Sequence, residues 1–175
     1  MAFGIYLFFK GERHFYLRFA LGFLFTNFVG FAGYYIHPAA PPWYAINFGF
    51  EPDFNTPGNV AGLGRFDDLI GFPVFGSIYV NNSNIFAAIP SLHSAYMLIA
   101  TIYAVMSRQS KELILCCCIV TLGIWCTAVY SCHHYVIDVL LGILTAFVGI
   151  AIFEQVVMRL PFFKRFFQSY ANYIS

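Results

Sequence analysis

The sequence predicts an all-α integral membrane protein, a bundle of about four membrane-spanning helices with one long loop on a single face. Three observations predict it. Of the 175 residues, 60% are hydrophobic and only 10% are charged. A mean hydropathy of +0.72 and 22 phenylalanines would give a soluble globule of this size a largely apolar surface. Apolar runs cover residues 16–36, 85–106, 113–130 and 134–158, and a helix needs about 20 such residues to cross roughly 30 Å of hydrocarbon.

Residues 1–9 are apolar but too short to cross. They lack the charged start and small-residue cleavage site of a signal peptide, so they read as an interfacial segment or the stub of a helix. The first span, 16–36, has Lys10, Arg13 and Arg18 at its leading end. Residues 37–84 form the long loop, with six of the eight prolines and the string Asn81-Asn82-Ser83-Asn84. Connections of this length without regular structure are uncommon and often functional. Within the loop, Asp67–Phe75 has the pattern of a short helix lying on the membrane surface. The second span, 85–106, and the third, 113–130, are joined by a turn carrying Arg108 and Lys111. The fourth, 134–158, is followed by Arg159, Lys164 and Arg165. Residues 1–175 therefore read as a single membrane-embedded domain.

Charge gives the orientation. If the spans alternate, eight of the nine Lys and Arg fall on one side, which the positive-inside rule makes cytoplasmic. The other side receives the loop, with Arg65 and the acidic Glu51, Asp53, Asp67 and Asp68. A net charge of +1 implies no nucleic-acid partner. Four of the five cysteines (Cys116, Cys117, Cys118 and Cys126) lie in one apolar run, with the spacing of neither a zinc site nor a disulfide framework.

Two strings carry the chemistry: Pro90-Ser91-Leu92-His93-Ser94 and His133-His134-Tyr135-Val136-Ile137-Asp138. Ionisable groups within a span are costly and are functional candidates by default. The alternating topology brings His93 and His134 to the same, extracytoplasmic face. His134 and Asp138, four residues apart, share one side of a helix. A carboxylate there can fix the imidazole tautomer and leave the other nitrogen free as a nucleophile. His93 can then serve as general acid and base. Pro90 and Ser91 open a helix whose backbone N–H groups suit a phosphate, with Ser91 and Ser94 adding hydroxyls. A metal shared by His134 and Asp138 is the rival reading. Adjacent helical residues diverge too far for Cys132 and His133 to join it.

These motifs resemble the second and third signature motifs of the type-2 phosphatidic acid phosphatase superfamily. Within it the chain is most similar to the inositol phosphorylceramide synthase branch and its bacterial relatives. Pro38-Ala39-Ala40-Pro41-Pro42-Trp43-Tyr44, Gly64-Arg65-Phe66-Asp67-Asp68 and the doubled His133-His134 resemble that branch. The likeness extends over about residues 34–142. It implies His134 as a nucleophile forming a phosphohistidine, Asp138 as its orienter and His93 as the acid/base. The phosphatase Lys and Arg-Pro motif is absent, and Thr127-Ala128 stands where the phosphatases carry Ser-Arg. Both departures point toward the synthase branch. The family usually has six spans, so the chain resembles a form lacking the first two.

The expected function is membrane phosphotransfer, moving phosphoinositol from phosphatidylinositol onto a lipid hydroxyl such as that of ceramide, in sphingolipid metabolism. The partners are a phospholipid donor and a lipid acceptor, and no metal or organic cofactor is implied. Ser91, Ser94, Arg65, Trp43, Tyr44, Asp67, Asp68 and His133 are the candidate substrate contacts. Asp67 and Asp68 suit polyol hydroxyls, and Arg65 suits the phosphate. Trp43 and Tyr44 equally suit an interfacial aromatic belt, and Arg65, Asp67 and Asp68 a solvated turn. The alternatives are a lipid phosphatase or pyrophosphatase of the same superfamily, or a non-catalytic lipid-binding membrane protein. The expected location is the plasma or inner membrane, with the site on the extracytoplasmic face.

Overall fold

The computed structural model describes residues 1–80 and 84–174. Of the asparagine string, Asn81, Asn82 and Ser83 lie outside the described residues. The described residues are α-helical, without strands beyond one isolated bridge between Ala39 and Ala87. The helices are α1 (Ala2–Phe9), α2 (Arg13–Ile36), α3 (Pro42–Phe48), α4 (Gly64–Ile70), α5 (Val74–Tyr79), α6 (Leu92–Met106), α7 (Lys111–Tyr130), α8 (Val136–Gln155) and α9 (Pro161–Ile174). Three helical segments, 13–36, 111–130 and 136–159, are long and apolar enough to cross a membrane. The chain is an integral membrane protein.

The fourth apolar helix, α6, is shorter than its run of residues predicts. Helix begins at Leu92 rather than Ile85, and its 15 residues rise roughly 22 Å. Residues 85–91 are irregular because their polar backbone groups bond elsewhere. Ala39 N–H donates to Phe86 O at 2.9 Å, and Ala88 N–H donates to Ala39 O at 3.2 Å. Ser91 N–H reaches Asp138 O at 3.0 Å. Non-helical backbone at membrane depth is tolerated where it is enclosed by protein in this way.

Helix α6 is the axis of the bundle. Ala95, Ile99, Tyr103 and Ala104 are fully buried, and α2, α7 and α8 pack around it. Its small residues let the neighbours approach, as packing in lipid favours. The closest approach is at Gly142 of α8, where a β-carbon would lie 2.2 Å from Ser91 O. Trp125 of α7 donates its indole N–H to Ser94 O at 3.0 Å. The start of α6 is thereby held from two sides.

The two ends of the bundle differ in charge, as the basic-residue count predicts. At one end Arg18 of α2 pairs with Glu154 of α8, and Tyr103 OH donates to the same carboxylate at 2.7 Å. Gln109, in the α6–α7 turn, donates to Glu12 at 2.7 Å and accepts from Lys10 at 2.7 Å. Helix α9 crosses this end with Phe167 buried beside His14 and with Phe162, Phe166, Tyr170 and Tyr173 exposed. At the other end stand the loop and both histidine motifs.

In the loop, Asp67–Phe75 is not one surface helix but parts of two. Gly71 (φ 78°) ends α4 in the left-handed region and Pro73 precedes α5. The Asp67 carboxylate crosses the break and accepts the N–H groups of Phe75 at 2.9 Å and Gly76 at 2.7 Å. An acidic cap over orphan donors explains why α5 starts there. Residues 1–9 form α1, packed on α2 through Phe3 and Leu7.

Candidate active site

The site is assembled where the start of α6 meets the start of α8. His93 is the second residue of α6, placed by the Ser91 N-cap. His134 lies in the α7–α8 turn, which Cys132 opens in a left-handed conformation (φ 59°). His134 Nε2 stands 3.4 Å from His93 Nδ1. The two imidazoles thus stand together at one end of the bundle.

The orienting partners differ in detail from the expectation. His134 Nδ1 lies 3.1 Å from Ala88 O and 3.6 Å from Asp138 Oδ2. The carbonyl, an obligate acceptor, takes the Nδ1 proton, and Asp138 backs it through charge at slightly longer range. Asp138 is fully buried, and its Oδ2 accepts Tyr135 N–H at 2.8 Å, capping α8. Its Oδ1 has no hydrogen-bond partner. An unpaired carboxylate oxygen in the interior is costly, and the other oxygen of the same group, Oδ2, stands 3.6 Å from the imidazole that gains positive character if Nε2 acts as a nucleophile. With the proton on Nδ1, Nε2 carries the lone pair, aimed at His93.

Two cavities converge on these rings. The more polar one, of about 190 Å³ and with a mixed wall, lies under the loop, lined by Trp43, Asn59, Asn84 and Tyr34 together with His93, His133 and His134. An apolar one of about 480 Å³ runs along α7 from the same histidines, past Thr127 and Gly123 to Val120. Tyr79 borders both, stacked on His133 with ring centroids 4.3 Å apart. His133 Nε2–H donates to Val60 O at 3.1 Å, which leaves Nδ1 as an acceptor. Burial holds the His133 imidazole below its ordinary pKa, partly opposed by that hydrogen bond.

Several expected contacts lie elsewhere. Ser91 and Ser94 are fully buried and bonded to each other, Oγ to Oγ at 3.0 Å, so they cap α6 and line neither cavity. Tyr44 is buried in the loop, donating to Glu51 O at 2.8 Å and accepting Asp53 N–H at 2.7 Å. It is neither an interfacial belt residue nor part of the cavity wall, whereas Trp43, also buried, is part of that wall. Arg65 is exposed and bonds Tyr130 OH at 3.0 Å, stacked over its ring, and lines neither cavity. Asp67 serves α5, and Asp68 is exposed on α4. Sequence reasoning missed Tyr34, Asn59 and Tyr79. Asn84 stood in the flagged asparagine string, but nothing near Tyr79 distinguished it from a loop aromatic. All five cysteines are free thiols, and among the described residues no three His, Cys, Asp or Glu side chains converge as metal ligands.

This is a membrane helical bundle with paired imidazoles at the meeting point of a polar and an apolar cavity. The PAP2 superfamily model matches residues 1–152, and the chain belongs to that superfamily. It is 59% identical to a phosphoinositol dihydroceramide synthase of Bacteroides thetaiotaomicron over 98% of the chain and 56% of that protein. It is 32% identical to an inositol phosphorylceramide synthase of Candida albicans, over 78% of the chain and 28% of that protein. The same identity relates it to an inositol phosphorylceramide synthase catalytic subunit of Saccharomyces cerevisiae, over 71% of the chain and 31% of that protein. The chain thus spans little more than half of the bacterial relative and under a third of the fungal ones. No solved structure matches it.

Proposed function

We propose that the chain transfers phosphoinositol from phosphatidylinositol to the primary hydroxyl of a ceramide-type lipid, through a phosphohistidine on His134. The observation that carries this is the pair His134 Nε2 and His93 Nδ1, 3.4 Å apart where the polar and apolar cavities join. A headgroup and a hydrocarbon chain have to meet at such a junction.

In the first step His134 Nε2 attacks phosphorus and the bond to the diacylglycerol oxygen breaks. His93 gives that oxygen its proton. In the second step the acceptor hydroxyl passes its proton to His93, its oxygen attacks phosphorus and the bond to His134 breaks. Both histidines return to their starting state, so no other reactant is consumed. Ala88 O and Asp138 hold the His134 tautomer and offset the charge that develops on it. His133 Nδ1, Asn59 and Asn84 offer bonding to polyol hydroxyls.

The charge balance favours a phosphodiester. No Lys or Arg lines the polar cavity among the described residues. A phosphodiester carries one negative charge and a phosphomonoester up to two, so imidazoles and dipoles suffice more readily for the former. The three relatives named above are a phosphoinositol dihydroceramide synthase and two inositol phosphorylceramide synthases, which supports the same reading. The basic end then faces the cytoplasm and the site faces away from it.

The test is lipid analysis of membranes carrying the chain, supplied with inositol-labelled phosphatidylinositol and ceramide. Label should move to a ceramide-derived lipid, and His134→Ala should abolish the movement. Release of water-soluble inositol phosphate at the same rate with and without ceramide would replace the transferase with a hydrolase.

A further inference from the structure

The glycines of the long helices fall into two kinds. At Gly22, Gly30, Gly33, Gly142 and Gly149 a β-carbon would come within 2.7 Å of a neighbour, so close packing explains them. Gly123, in the middle of α7, is the opposite. A β-carbon there meets nothing within 4 Å, and the residue is exposed. Glycine in a helix interior costs about 1 kcal/mol relative to alanine, and packing gives nothing in return here. What its missing side chain leaves open is the apolar cleft. Val120, Gly123, Ile124 and Thr127 form one stripe of α7 along it, and Tyr79, His93 and His134 close its upper end.

We propose that this cleft seats the hydrocarbon chain of the acceptor lipid, and that Gly123 determines which acceptors fit. The inference rests on the transferase reading above. The donor carries a polyol phosphate that the polar cavity can hold. A ceramide-type acceptor presents only a hydroxyl and an amide, so its affinity has to come from chain contacts. The cleft is continuous with the two imidazoles and has the volume of about one long alkyl chain, at about 480 Å³. A chain lying along the α7 stripe brings the hydroxyl at its head to His93, the group that has to take its proton. The second chain remains in the bilayer, where α7 is exposed.

The experiment uses the full chain in lipid vesicles, with Gly123→Phe, Gly123→Leu and, on a neighbouring face of α7, Leu122→Phe. Gly123→Phe should raise KM for long-chain ceramide at least ~10-fold, as expected when a pocket is filled. It should change KM for a chain-truncated ceramide and for phosphatidylinositol less than ~2-fold. Gly123→Leu should fall between, and Leu122→Phe should match the wild type. A ceramide bearing a photoreactive group in its chain should label residues 120–127 in the wild type, whether or not a variant folds. Equal losses with long and truncated acceptors, a raised KM for phosphatidylinositol alone, or labelling away from α7 would overturn the proposal. A wild-type chain that transfers nothing yet is labelled at 120–127 would sink the transferase reading and support the cleft as a lipid seat.

Discussion

At the scale of single residues, the division of labour around His134 sets the size of each expected effect. Its Nδ1 proton is held chiefly by Ala88 O at 3.1 Å, with Asp138 at 3.6 Å. Asp138→Asn therefore keeps the tautomer and the cap on Tyr135 N–H but loses the charge. Turnover should fall about 10²–10³-fold, short of the ~10⁴-fold seen when an orienting carboxylate alone sets the tautomer. Single-turnover rates with labelled phosphatidylinositol measure it, and a loss equal to that of His134→Ala would mean that Ala88 does not hold the proton. Arg65→Ala should change kcat/KM by less than ~3-fold, because an exposed side chain bonded to Tyr130 is worth little to a site it does not line. Acceptor-dependent transfer measured across substrate concentrations would show a larger loss if the guanidinium reaches the phosphate. The histidines and Asp138 were legible in the sequence because charge is rare in apolar runs and the spacing was helical. Ser91, Ser94 and Tyr44 were misassigned because a hydroxyl in a motif looks the same whether it faces a cavity or caps a helix.

At the scale of elements, the geometry of the proposed active site depends on how α6 and α8 touch. Ser91 N–H to Asp138 O and the glycine contact at 142 place the helix that bears His93 against α8, directly after the turn that bears His134. Gly142→Val puts methyl groups where Ser91 O already lies. It should cost about 1–3 kcal/mol of stability, and transfer should fall by more than the folded fraction does. Thermal unfolding in detergent beside the rate of transfer separates the two, and a variant losing both in proportion would make the contact merely structural. The long spans were legible from hydrophobic length alone. The late start of α6 was not, because Ile85–Pro90 is as apolar as a helix and its irregular backbone is fixed by partners at Ala39 and in the α7–α8 turn. The break inside α4–α5 was similarly hidden, although Gly71 and Pro73 marked it.

At the scale of the whole molecule, the separation of charge predicts topology. In a background without the five native cysteines, Asn55→Cys should react with an impermeant maleimide added outside cells, and Ser110→Cys only after permeabilisation. Reaction of Ser110→Cys from outside would invert the orientation and place the site in the cytoplasm. The polarity itself was readable before any fold was known, because eight basic residues gather at one end. The convergence of two cavities was not readable, since it depends on α5 folding back over the α7 stripe. Short α6 has one more consequence. Its roughly 22 Å rise falls about 8 Å below the thickness of the hydrocarbon layer. If Met106 is level with the basic surface, His93 and His134 sit sunk beneath the opposite headgroups, roughly 8 Å inside the edge of the hydrocarbon layer. On the proposed transferase reading, lipids then reach the site by sliding sideways, without being lifted from their leaflet, and scarce water at that level favours an alcohol over hydrolysis.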